Sequence, residues 1–85
     1  MQNNFQKAII SLEKKNYVFH FNRIYTVDEI RYHVSVRTQG NISYYFMMEE
    51  DNGGWYFSDI ALLPEWLIDM EKAVENVIKE HIKEG

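Results

Sequence analysis

Apolar and polar residues alternate with a period of two through the middle of the chain. Tyr17, Phe19 and Phe21 interleave with Val18, His20 and Asn22. Ile30, Tyr32, Val34 and Val36 interleave with Arg31, His33, Ser35 and Arg37. A period of two is the mark of a strand buried on one face only. It predicts strands over residues 17–24, 29–38, 42–49 and 54–60. Thr26 to Asp28 turns the first hairpin, Gln39-Gly40-Asn41 the second, and Asn52-Gly53 the third, where both central residues need positive φ. A three-residue loop at 39–41 sets Val36 opposite Tyr44 and Val34 opposite Phe46. A loop one residue shorter would turn one apolar set to the wrong face.

The two ends carry a different spacing. Phe5, Ala8, Ile9 and Leu12 fall at i, i+3, i+4 and i+7, which predicts a helix from Asn4 to Lys15. Asn3 or Asn4 would cap it, Lys14 and Lys15 would suit its negative end, and Asn16 would stop it in a left-handed conformation. Pro64 opens the last helix, whose broad apolar face holds Trp66, Met70, Ala73, Val74, Val77, Ile78, His81 and Ile82. Glu75 and Lys79 are spaced to pair on the other side. The expected fold is therefore one α+β domain over residues 1–85, in the order α-β-β-β-β-α. A four-stranded antiparallel meander carries both helices on one face. Val34, Phe46 and the last helix meet in its core.

Composition narrows the chemistry. The chain has no Cys, so disulfides, thiolate nucleophiles and Cys-containing zinc sites are excluded. No apolar run approaches the roughly 20 residues of a membrane helix. Met1 to Asn4 has neither the basic nor the apolar part of a signal peptide. A cytoplasmic protein away from membranes is the expectation. The net charge of −4 gives no overall bias toward nucleic acid.

The core order helix, strands, helix resembles that of double-stranded-RNA-binding domains. That family holds phosphate with a Gly-Pro-x-His type loop and a basic cluster opening its last helix. Here the loops read Gln39-Gly40-Asn41 and Asn52-Gly53-Gly54, and the helix opens Pro64-Glu65-Trp66 with Asp69 following. The resemblance is one of element order, and the RNA-binding function does not carry over.

The candidate site is the sheet face turned away from the helices. It gathers His20, Arg31, His33, Arg37, Tyr45, Met47 and Tyr56. His20 and His33 share a side of adjacent strands, but a metal site needs a third ligand, and Glu49 is distant in the pairing. No metal or cofactor is expected. Two arginines are few for a phosphate track, so nucleic acid is not the expected partner. No catalytic set is legible: Glu49-Glu50-Asp51 reads as a solvated hairpin tip. Aromatic, Met and Arg side chains are enriched in interfaces, so the expected function is a non-catalytic binding or assembly module. Its expected partner is another protein or a second copy. A small-ligand or single-stranded nucleic-acid binder on the same face is the alternative, and a small enzyme a distant third.

Overall fold

The computed structural model describes residues 4–25, 27 and 29–84. Five strands follow one another: β1 (Asn4–Ile10), β2 (Asn16–Tyr25), β3 (Ile30–Arg37), β4 (Ser43–Asp51) and β5 (Gly54–Phe57). A short helix α1 (Glu65–Ile68) and a long helix α2 (Glu71–Glu84) end the chain. The sheet is an antiparallel meander in the order β1-β2-β3-β4-β5, curled into a half-barrel.

The expected N-terminal helix is absent. Residues 4–10 form β1, paired along its whole length with β2, from Asn4 opposite Asn22 to Ile10 opposite Asn16. The fold is thus five strands with C-terminal helices only, and the element order shared with double-stranded-RNA-binding domains falls away with the missing helix. Spacing over so short an apolar run fits strand as well as helix. What decides is the partner: as a strand, Phe5 stacks on Phe21 with ring centroids 4.6 Å apart and Ile9 is buried. The adjacent β-branched pair Ile9 and Ile10 also suits a strand. A tight turn over residues 11–15 closes this hairpin through Ser11 N–H to the Lys15 carbonyl at 2.8 Å. Lys14, not Asn16, takes the left-handed conformation there (φ 63°).

The other hairpins follow the expected register. Val36 faces Tyr44 and Val34 faces Phe46 across the 39–41 loop, where Asn41 has φ 61°. Asn52 and Gly53 both take positive φ (53° and 85°), which joins β4 to β5 without splaying the strands. Of the first turn, Thr26 and Asp28 lie outside the described residues. β5 is shorter than expected and ends at Phe57.

One face of the sheet holds the core. Phe19, Phe21, Tyr32, Val34, Val36, Phe46, Met48, Trp55 and Phe57 pack there against Leu67, Met70, Val74 and Ile78. α2 reaches from β5 to β1. Its first half receives two backbone amides of β5: Trp55 N–H donates to Glu75 Oε2 at 2.9 Å and Phe57 N–H to Glu71 Oε2 at 3.0 Å. Near its end His81 stacks on Phe5 at 3.8 Å. α1 anchors the far end of the core, where Trp66 stacks on Tyr17 at 4.5 Å and meets Tyr44 edge-on. The last helix is therefore broken in two at Asp69 and Met70. Glu75 does pair with Lys79, and also with Lys72, yet it is buried against β5 and not on the solvent side.

Candidate functional site

The opposite face of the sheet is uncovered, and the registers fix which side chains are neighbours on it. Four rows cross the strands. The outermost holds the pairs Ala8–Val18 and Arg37–Ser43, and the next runs Gln6, His20, Ser35, Tyr45. A third runs Asn4, Asn22, His33, Met47, and the last Ile24, Arg31, Glu49, Tyr56. Between the second and third rows lies a groove of about 820 Å³. Its flanks are those two rows, and its floor is the strand backbone at Phe5, Phe21, Val34 and Phe46. The floor residues are core residues, so their side chains point the other way and only peptide groups line the bottom.

At the β4 end the wall is built by the connection between β5 and α1. Ser58, Asp59, Leu62 and Leu63 line the groove there. Ser58 N–H donates to the Met47 carbonyl at 3.0 Å, which carries the strand pairing one residue past β5. Asp59 Oδ1 accepts from Ala61 N–H at 3.0 Å, a local turn that holds the segment in place. Leu62 is 91% exposed and Tyr45 77%, so both present apolar surface to the groove.

The seven residues expected to form the site separate into two groups. His20, His33, Tyr45 and Met47 come together on the groove. Arg31, Arg37 and Tyr56 lie outside it. Arg31 is engaged by Glu29, through both Nε at 2.7 Å and Nη2, and by Glu49 at 3.3 Å. The hydrogen bond that Arg31 donates to Glu29 holds its guanidinium above the ordinary value. Arg37 stands opposite Ser43 one row beyond the groove. Tyr56 folds its ring back over Gly54: a Cβ there would lie 2.7 Å from the Tyr56 hydroxyl. Its job is to cover a strand glycine, and the pairing puts it next to Glu49.

His20 and His33 sit one step diagonal, since His20 faces Ser35 and His33 faces Asn22. Glu49, the candidate third ligand, is taken by Arg31 in the outer row. Among the described residues no three of His, Asp and Glu come together as metal ligands. Asn4, Gln6, Asp59 and Leu62 line the groove although periodicity does not send them to this face; Asn22, which alternation does send there, lines it too. Asn4 and Gln6 were hidden by the helix assigned to residues 4–15. Leu62 and Asp59 lie in a connection whose path no periodicity reveals.

The groove's chemistry is that of hydrogen bonding. Three side-chain amides, two imidazoles and the hydroxyls of Ser35, Ser58 and Tyr45 offer both donors and acceptors. Met47, Tyr45 and Leu62 give one end an apolar flank. No lysine or arginine lines it among the described residues, and Asp59 brings a carboxylate. No family model, no curated protein and no solved structure matches this chain.

Proposed function

We propose that this chain is a non-catalytic binding module that takes an uncharged, ring-bearing small molecule in the groove across its open sheet face. The observation that carries the reading is the groove itself: about 820 Å³ of open volume flanked by amides, imidazoles and hydroxyls, with an exposed aromatic and an exposed leucine at one end. The volume falls in the roughly 300–1,000 Å³ range of small-molecule sites. A ring would lie against Tyr45 and Met47 while its polar rim meets Gln6, His20 and Ser35. Three side-chain amides supply paired donors and acceptors for such a rim.

Charge argues against a nucleic-acid strand. Phosphate tracks need several free cations, yet the groove has none among the described residues and Arg31 is already held by two carboxylates. A catalytic reading lacks an activated nucleophile or an assembled acid-base pair among the groove's side chains.

The test is NMR titration of the 15N-labelled protein with adenosine, N-acetylglucosamine and a decathymidylate. Amide shifts confined to Gln6, His20, Ser35, Tyr45 and Met47 with either uncharged probe support the reading. Binding of the decathymidylate alone, weakening with added salt, would replace it with a nucleic-acid function. No shift with either uncharged probe at millimolar concentration would end it.

A further inference from the structure

The two edges of the sheet are treated differently. On β5 the outward amides of Trp55 and Phe57 are taken by the carboxylates of Glu75 and Glu71 on α2. That edge is closed, and the acids that close it would repel the same edge of another copy. β1 is the other edge of the sheet, with no strand on its outer side among the described residues. A seven-residue strand leaves about half of its peptide groups pointing outward. Beside this bare edge, on the open face, Ile10 is 67% exposed and Val18 43%. Val18 faces Ala8 in the pairing, so Ala8, Ile10 and Val18 make one apolar patch that begins at the edge.

Charge selects the occupant. The chain carries 13 acidic residues and a net charge of −4, so copies of it repel in general. Residues 4–12 (Asn-Phe-Gln-Lys-Ala-Ile-Ile-Ser-Leu) contain no acid and one lysine. This edge is where two copies can approach without opposing carboxylates. It is also self-complementary. In an antiparallel pair, residues directly opposite share a face, so a twofold axis must pass through a residue. An axis at Ala8 sets each Ile10 opposite Gln6 and each Lys7 opposite Ile9. The two lysines are diagonal and not directly opposed, and the two Ala8 side chains bring the apolar patches together across the seam.

We infer that β1 pairs antiparallel with β1 of a second copy about Ala8, giving a twofold dimer with one continuous ten-stranded sheet. This rests on the edge and not on the groove, and it stands whether or not the groove binds a small molecule. Sedimentation velocity across low to high micromolar concentration tests it first: the parent moves from the chain mass of 10.2 kDa toward twice that value. An Ala8→Glu, Ile10→Glu double variant gathers four carboxylates at the seam and raises the dimer dissociation constant at least tenfold. Cross-linking gives an independent readout, because the chain has no cysteine of its own. Under mild oxidation Ala8→Cys links two chains, while Tyr45→Cys on the open face does not. A parent that stays at the chain mass throughout overturns the inference and leaves Lys7 as a charge that keeps the edge single. Linking through Tyr45→Cys but not Ala8→Cys overturns it in favour of an open-face contact, and a mass rise only with an added foreign peptide assigns the edge to that peptide.

Discussion

Removing the carboxylate of Glu75 should destabilise the fold more than any other change to a charged side chain. Glu75 is only 6% exposed and joins three groups: Trp55 N–H at 2.9 Å, Lys72 Nζ at 3.0 Å and Lys79 Nζ at 3.4 Å. Glu75→Ala leaves the amide of a buried tryptophan without an acceptor, which costs about 1–3 kcal/mol. The two ion pairs add less than about 1 kcal/mol each, because both lysines are largely in water. The sum is about 2–4 kcal/mol, or roughly 10–25 °C in melting temperature for a domain of this size. Glu75→Gln keeps the acceptor and loses the charge, so it should cost about 1 kcal/mol. The pH dependence separates the two roles. The Trp55 amide first, and Lys72 next, hold the Glu75 carboxyl below its ordinary value of 4.5. A depressed folded-state value contributes stability that is complete above the ordinary value and is lost as pH falls through the folded one. The parent's advantage over Glu75→Gln should therefore shrink as pH drops below about 4.5, where the protonated acid resembles the amide. Urea unfolding of the three proteins at neutral and acid pH measures this. A Glu75→Ala cost under about 0.5 kcal/mol, or a Gln gap that does not shrink in acid, would refute the edge-closing role.

Three further outcomes follow from the same packing. Val74 is fully buried between α2 and the sheet, so Val74→Asp should cost about 3 kcal/mol or more and abolish the cooperative melt; a variant melting within a degree or two of the parent would contradict the core described here. The Tyr32 hydroxyl is buried with no hydrogen-bond partner among the described residues, and burial pushes its pKa upward, so Tyr32→Phe should leave stability unchanged or raise it by about 1 kcal/mol in chemical denaturation. Gly53 holds φ 85° in the last hairpin, so Gly53→Ala should cost about 1–2 kcal/mol by the same measurement, all of it backbone strain, since nothing lies within 4 Å of the added methyl.

The sheet's middle was legible because each strand there is buried on one side and hairpin turns fix its neighbour. Tyr32, Val34 and Val36 could face only one way, and the loop at Gln39 to Asn41 set the partner register. β1 was not legible because its inward residues are Phe5, Lys7 and Ile9, and the lysine breaks the alternation. Lys7 stays exposed since β1 is an edge, and edge strands tolerate charge where central strands do not. Losing β1 also cost the site two of its amides, Asn4 and Gln6. Within the site, the period of two correctly sent His20, His33, Tyr45 and Met47 to one face. The register that sets Val34 opposite Phe46 also sets Arg31 directly opposite Glu49, so that half of the Arg31 contact was legible; the Glu29 half is a side-chain reach over two residues that alternation does not give. Glu75 was placed on the solvent side by helical spacing alone. The β5 amides that draw it inward belong to the last strand of the meander, and helical spacing does not show which face of the helix meets that edge.

Binding in the groove between the Gln6 and Asn4 rows is the proposed function, and the walls of the groove allow a direct check. Tyr45 and Met47 flank the groove without contributing to the core, so Tyr45→Ala, Met47→Ala should melt within a few degrees of the parent. The deciding measurement is the affinity of parent and double variant for whichever uncharged probe shifts the groove amides, followed by the same 15N spectra. At least a tenfold loss of affinity with the fold intact is expected. Equal affinity in the two proteins, or shifts that move away from His20, Ser35 and His33, would contradict it.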